Sequence, residues 1–208
     1  MKIVGILLAA GLSSRMGRVK PLLPWGGGLL LEKVIENARN SRLTCLIVVL
    51  GHEADSIRQR IDFKQTRVIV NSDYRMGQSS SLRAGLSALP DDTDAAMFLL
   101  GDQPLVTAEI IDRLIGAFEK RRSPLIIPTC QGKRGNPVLA NNSIFDLIQN
   151  ITGDTGARAL FRSLNEQIRE VELSDPGILL DIDTMEEYRR LAGSTFDPKE
   201  NEFPSLLL

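Results

Sequence analysis

One histidine, His52, and two cysteines, Cys45 and Cys130, are all that the 208 residues offer of the softer metal ligands. So few cysteines exclude a disulfide framework. A zinc site gathers about three or four Cys or His side chains and has too little to draw on here. Any metal is therefore expected to be a hard cation held by carboxylates. A dominant charge is missing too: 25 Lys and Arg against 26 Asp and Glu leave a formal net charge of −1. That balance excludes a protein held to nucleic acid by bulk charge and a basic membrane-surface protein. No stretch approaches the roughly 20 apolar residues of a membrane span. The apolar N-terminal run ends at Gly11-Leu12-Ser13-Ser14-Arg15, too early for a signal peptide, and reads as a buried first strand. A cytoplasmic protein without nucleic-acid or membrane partners is expected. The hydrophobic share of 43% suits one domain with a sizeable core.

What is present is an alternation of short apolar runs with helical patterns. Candidate strands fall at 3–9, 44–50, 67–71, 95–100 and 125–128, most of them continuous apolar runs of the kind buried on both sheet faces. Helical segments fall at 30–40, 53–60, 80–89 and 107–121, the last with Ile110, Ile111, Leu114, Ile115 and Phe118 on one face. This order predicts a Rossmann-like, doubly wound, mostly parallel sheet flanked by helices. From about Gly132 the pattern changes. It predicts strands at 137–140, 168–172 and 178–182 and helices at 143–150, 155–164 and 184–191. We expect a single domain over residues 1–193. About 1–130 forms a nucleotide-binding part, about 131–193 a small C-terminal lobe for an acceptor, and 194–208 a peripheral tail.

In open α/β sheets, ligands bind beyond the carboxyl ends of the strands. The first such loop holds Ala10, Gly11, Ser13, Ser14, Arg15, Gly17 and Lys20. Small residues let backbone amides approach phosphate oxygens, and Arg15 and Lys20 supply positive charge. The alternative is a flexible basic surface loop. A Walker loop is excluded because Gly17 precedes Arg18, and a dinucleotide fingerprint is excluded because only Gly11 is well placed. A second loop, Gly77-Gln78-Ser79-Ser80-Ser81, opens a helix; its serines offer hydroxyls to a ligand or serve as ordinary N-caps. A third, Gly101-Asp102-Gln103-Pro104, places a carboxylate straight after a buried strand, as a magnesium ligand or a helix cap. Thr107 is better placed for capping. Asp181 and Asp183 share one face if 178–182 is a strand. Gly153-Asp154-Thr155-Gly156-Ala157-Arg158 reads as a glycine turn opening a helix, suited to a second phosphate compound or to plain capping by Asp154 or Thr155. His52, lacking a partner, reads as structural rather than as a general base. Cys45 and Trp25 read as packing, and Glu32, Lys33, Glu36 and Arg39 as a solvated helix face.

The run Leu8-Ala9-Ala10-Gly11-Leu12-Ser13-Ser14-Arg15-Met16-Gly17, followed by Lys20 and Leu22-Leu23-Pro24-Trp25, resembles the signature of MobA-like nucleotidyltransferases. The likeness extends from Ile3 to about Leu191 and points to the cytidylyltransferases of molybdenum cofactor synthesis. It implies the nucleotide-diphospho-sugar transferase fold. It implies nucleotide contacts from Leu8, Ala9, Ala10, Gly11, Ser13, Ser14, Arg15, Gly17, Lys20, Gly77, Ser79, Ser80, Ser81, Gly101 and Asp102, with Arg15, Lys20 and Asp102 catalytic. Asp102 and Asp183 would hold Mg2+, or Mn2+ in its place, and Asn136, Pro137, Gly156 and Arg158 would meet the acceptor. In this family Leu-Ala-Ala-Gly goes with CTP and Leu-Ala-Gly-Gly with GTP, so Ala10 favours CTP. We hypothesise that the Ala10 methyl alters how closely a base approaches. The implied reaction moves CMP from CTP to the phosphate of molybdopterin, with a client molybdoenzyme or its chaperone as recipient. An acceptor phosphate is already ionised near neutral pH and needs no strong base, which suits a chain with one histidine. Rival readings are a GTP-using guanylyltransferase, a sugar- or polyol-phosphate nucleotidyltransferase, and a non-catalytic nucleotide-binding chaperone.

Overall fold

The computed structural model describes residues 1–13, 16–153 and 164–193. The expected helix at 155–164, the tail 194–208 and the candidates Ser14, Arg15, Gly156 and Arg158 lie outside the described residues, in whole or in all but one position. The elements run β1 (Ile3–Ala9), β2 (Pro24–Trp25), β3 (Gly28–Leu29), α1 (Leu30–Arg39), β4 (Cys45–Leu50), α2 (Ala54–Arg60), β5 (Arg67–Val70), α3 (Gln78–Ser87), β6 (Ala95–Leu100), α4 (Ala108–Lys120), β7 (Leu125–Cys130), β8 (Lys133–Arg134), β9 (Val138–Asn141), α5 (Phe145–Gln149), β10 (Ile168–Glu172) and α6 (Met185–Gly193).

The main sheet has the order β10-β7-β9-β6-β1-β4-β5, with β8 paired to β7. The pairings β1 with β4, β1 with β6, β4 with β5 and β10 with β7 are parallel. β9 enters between β6 and β7 and is antiparallel to both. The expected mostly parallel, helix-flanked sheet is therefore present, and both C-terminal strands belong to it.

Two buried layers cover the sheet because successive strand residues point to opposite faces. Along β1, Ile3, Leu7 and Ala9 join one layer, while Ile6 and Leu8 join the other. The first layer takes the apolar faces of α1 and α4, with Leu31, Val34, Ile111, Leu114 and Phe118. The second takes Leu82 and Leu86 of α3 and Ile148 of α5. No described helix is long and apolar enough to cross a membrane.

Two expectations need correction. Residues 178–182 form no strand: Pro176–Leu179 is a 3₁₀ turn and 180–183 have no regular structure. The apolar run Ile178-Leu179-Leu180 resembles a buried strand, but its backbone groups bond to separate elements instead of one ladder. The Ile178 carbonyl accepts from Asn136 N–H at 3.0 Å, and Ile182 N–H donates to the Asp102 carbonyl at 3.1 Å. Cys45 is exposed rather than core, because it opens β4 at the sheet's amino edge.

Candidate functional site

The loops after β1, β4, β5 and β6 meet at one end of the sheet. Ser13 adopts φ 51° and Gly17 φ 62°, which turns the first loop back toward the sheet. Met16 N–H donates to the Ser13 carbonyl at 3.0 Å, and Lys20 N–H donates to Ser13 Oγ at 3.3 Å. Ser13 thereby anchors the short 3₁₀ turn that carries Lys20. Leu8, Ala9, Gly11, Ser13, Lys20, Gly101 and Asp102, all singled out from the sequence, line one small cavity together with Pro21.

Lys20 is the centre of this arrangement. Its Nζ donates at 2.9 Å to Asp102 Oδ2 and at 2.9 Å to Asp183 Oδ1. The two carboxylates therefore lie within twice that distance of each other, although they are remote in sequence. The Lys20 side chain is 13% exposed, Asp102 25% and Asp183 42%. Burial opposes the ammonium charge, but Asp102 and then Asp183 more than offset it and raise Lys20 above its ordinary 10.5. The sign follows from linkage: the stabilisation is complete below the unfolded-state value and is lost only as pH rises through the higher folded one.

Asp102 does not cap the following helix. Thr107 does, with its Oγ accepting from Ile110 N–H at 3.4 Å. Asp102 Oδ1 is buried and finds no hydrogen-bond partner among the described residues. Such an oxygen fits a bound hard cation. Among the described residues no group of three or more His, Cys, Asp and Glu could hold a metal. Asp102 and Asp183 offer two carboxylates, a donor set that could hold magnesium or manganese if phosphate oxygens and water completed it. Asp183 is placed by the start of α6, where Glu187 accepts from Asp183 N–H and Thr184 N–H, each at 2.9 Å. Thr184 Oγ1 accepts in return from Glu187 N–H at 3.1 Å, completing a capping box.

The loops after β1 and β4 touch at Ala10. A Cβ built on Gly51 would lie 2.8 Å from the Ala10 Cβ, 2.9 Å from its carbonyl oxygen and 2.7 Å from the Tyr74 Cβ. His52 N–H donates to the Ala10 carbonyl at 3.3 Å, and the His52 and Tyr74 rings lie 5.9 Å apart. The Ala10 methyl thus packs toward Gly51, and an effect of residue 10 on base choice would act through loop spacing. Gly51→Ala forces backbone to move. We expect a loss of about 1–3 kcal/mol of stability, read by thermal melting, together with weaker nucleotide binding. An unchanged melt would show the loops to be more yielding than this packing implies.

The serine loop is organised by a residue that sequence reading missed. Asn71 Nδ2 donates to Ser80 Oγ at 2.8 Å and to Ser81 Oγ at 3.0 Å, and Asn71 Oδ1 accepts from Asp73 N–H at 2.9 Å. Two of the three hydroxyls are therefore engaged within the fold. The serines do not cap α3, whose N-cap is Gly77 with φ 93°. Ser79 Oγ is buried without a partner among the described residues. An Asn followed by Ser and Asp at a strand end is an Asx-turn signal that could have marked Asn71. Gln103 was also missed: it is 1% exposed, and its Nε2 donates to Asp181 Oδ1 at 2.5 Å. A buried Gln beside a predicted ligand carries no sequence signal of its own. Asn136 and Pro137 stand beside the 176–183 segment, because Asn136 N–H reaches Ile178 and a Cβ on Gly135 would lie 2.4 Å from the Ile178 carbonyl oxygen. Trp25 is buried, its ring 6.4 Å from that of Tyr188. On α1, Lys33 pairs with Glu36 at 2.8 Å, while Glu32 accepts from Leu29 N–H.

This fold is shared with solved nucleotidyltransferases. One from Methanothermobacter thermautotrophicus superposes with a TM-score of 0.80 at 24% identity, covering 93% of this chain and 97% of that one. The family description "MobA-like NTP transferase domain" matches residues 5–169, and the chain belongs to that family. It is accordingly a nucleotidyltransferase-family enzyme. It is 31% identical to the molybdenum cofactor cytidylyltransferase of Escherichia coli, over 88% of this chain and 92% of that protein. It is also 29% identical to the nicotine blue oxidoreductase of Paenarthrobacter nicotinovorans, over 91% and 96%. Among solved structures, Rv0371c of Mycobacterium tuberculosis has a TM-score of 0.85 at 30% identity, covering 92% of this chain and 97% of that one. Its manganese complex has a TM-score of 0.81 at 28% identity, with coverage of 93% and 100%.

Proposed function

We propose that the chain transfers CMP from CTP to the phosphate of molybdopterin carrying molybdenum, releasing pyrophosphate. The observation that carries this reading is the convergence of Lys20, Asp102 and Asp183 beside the small-residue loop after β1. The cytidylyltransferase relative supports the choice of substrates. An oxygen of the acceptor phosphate forms a bond to the α-phosphorus of CTP, and the bond from that phosphorus to the bridging oxygen breaks as pyrophosphate leaves. Lys20, joined by Arg15, neutralises the triphosphate and the charge that gathers on the leaving group. The loop residues Gly11, Ser13 and Gly17 cradle phosphate oxygens, while Gly77 and Ser79 face the base or ribose and Ser80 and Ser81, whose hydroxyls accept from Asn71, back that loop. Asp102 and Asp183 would hold Mg2+ or Mn2+, which supplies charge neutralisation at the reacting phosphates. Asn136, Pro137, Gly156 and Arg158 belong to the acceptor side, and the product passes to a client molybdoenzyme or its chaperone.

Pyrophosphate release from each of the four nucleoside triphosphates, with and without molybdopterin, tests this reading. Release is expected with CTP and molybdopterin together. A preference for GTP would reassign the base. Binding without release, under any combination, would favour a different acceptor such as a sugar or polyol phosphate, the chaperone reading, or redox chemistry like that in the oxidoreductase relative's name.

A further inference from the structure

The segment 176–183 has no strand ladder to set its register, yet it delivers Asp183 to within reach of Lys20 and Asp102. Its register must come from individual ties. A Cβ on Gly177 would meet the Leu105 carbonyl oxygen at 2.8 Å, so the two backbones are in close contact. Ile178 is tied to Asn136, and Ile182 to the carbonyl of Asp102. A side-chain tie lies next to these: Gln103 Nε2 donates to Asp181 Oδ1 at 2.5 Å. Gln103 is 1% exposed, and its Oε1 is buried with no partner among the described residues. An apolar residue would fill that volume without stranding an acceptor. Among the described residues, the side-chain amide's one hydrogen bond is to Asp181. Asp102 and Gln103 are adjacent, as are Ile182 and Asp183, so the backbone bond and the side-chain bond together join the two carboxylate-bearing stretches.

We propose that Gln103 is a positioning residue. Through Asp181 it sets the 181–183 stretch so that Asp183 faces Asp102, without itself touching the cation or the nucleotide. The inference rests on the reading of Asp102 and Asp183 as the cation-holding pair. Groups that orient metal ligands change metal affinity by about 10–100-fold when removed. The effect therefore falls on the metal's half-saturation rather than on turnover once metal is saturating.

The test measures Mn2+ binding to the whole protein by the loss of free-ion paramagnetic resonance signal, with pyrophosphate release followed in parallel. Gln103→Leu keeps the volume and loses the donor; half-saturating Mn2+ should rise about tenfold, while release at saturating Mn2+ returns to within about threefold of the parent. Asp181→Ala and Asp181→Asn remove the same charge, but only asparagine keeps an oxygen for Gln103. Alanine should reproduce the tenfold rise and asparagine should stay within about twofold. That comparison stands even if Gln103→Leu does not fold. Equal effects of the two Asp181 variants, or parent-like Mn2+ binding in Gln103→Leu, would overturn the proposal. Asp102→Asn separates the two levels of inference: if it binds Mn2+ like the parent, the cation-pair reading has failed. If it loses Mn2+ while Gln103→Leu does not, only the positioning role has failed.

Discussion

Asp102→Asn should lower pyrophosphate release by about 10³-fold or more, about 4 kcal/mol of transition-state stabilisation, and leave the fold in place. The substitution is isosteric. The backbone carbonyl that accepts from Ile182 N–H is untouched, so the turn after β6 keeps its main tie to the 180–183 stretch. What changes is the charge and the two side-chain oxygens. Oδ2 holds Lys20, and Oδ1 is buried without a partner among the described residues. In an apo protein that orphaned oxygen is a cost, of about 1–3 kcal/mol for a buried polar atom. A cost of that kind is sustained where a ligand later satisfies the atom. The variant should therefore melt close to the parent without metal and lose the parent's stabilisation by Mn2+, while activity collapses. Activity within tenfold of the parent would mean that the reacting phosphates do not depend on this carboxylate. A large loss of stability would mean that its role is in holding the turn.

Much of the sheet was legible because burial on both faces leaves a plain mark. β1, β4 and β6 are uninterrupted apolar runs, and residues inside them alternate between two cores. The order of strands was less accessible. Nothing in Val138-Leu139-Ala140 shows that β9 would slot between β6 and β7 against the direction of both, since register and neighbours depend on tertiary contacts. The misread strand at 178–182 shows the same limit from the other side. Its apolar residues do bury, Ile178 and Ile182 fully, but its hydrogen bonds go to scattered partners. The site divides similarly. Residues whose type states their chemistry, such as Lys20, Asp102 and Asp183, could be picked out singly. Their convergence was expected only through the family resemblance, because residue types and spacing do not show what the fold brings together. Asn71 carried an Asx-turn signal that went unused, whereas Gln103 was passed over because an amide in a core looks like any other polar residue until its partner is seen.

Lys20→Met should move two measurements in opposite senses. Lys20 fills the space between Asp102 and Asp183 as a cation in direct contact with both. Removing it leaves two carboxylates facing each other, which raises the energy of the apo protein. Solvent at Asp183, which is 42% exposed, screens part of that repulsion. The loss of stability is therefore expected near 1–3 kcal/mol rather than the larger cost of a fully buried pair. A divalent ion entering between the same oxygens no longer has to displace an ammonium group. The rise in melting temperature on adding Mn2+ should accordingly be larger in the variant than in the parent. Catalysis should go the other way, with kcat/KM for the nucleotide falling about 10²–10³-fold, because no side-chain cation from this turn remains for the departing pyrophosphate. A purely structural lysine would lower stability and activity together and would be mended by the metal. A lysine needed only for nucleotide charge would lower activity and leave the response to Mn2+ unchanged. Only a residue that guards the carboxylate pair in the empty site and serves the phosphates in the filled one gives stronger metal stabilisation alongside weaker turnover.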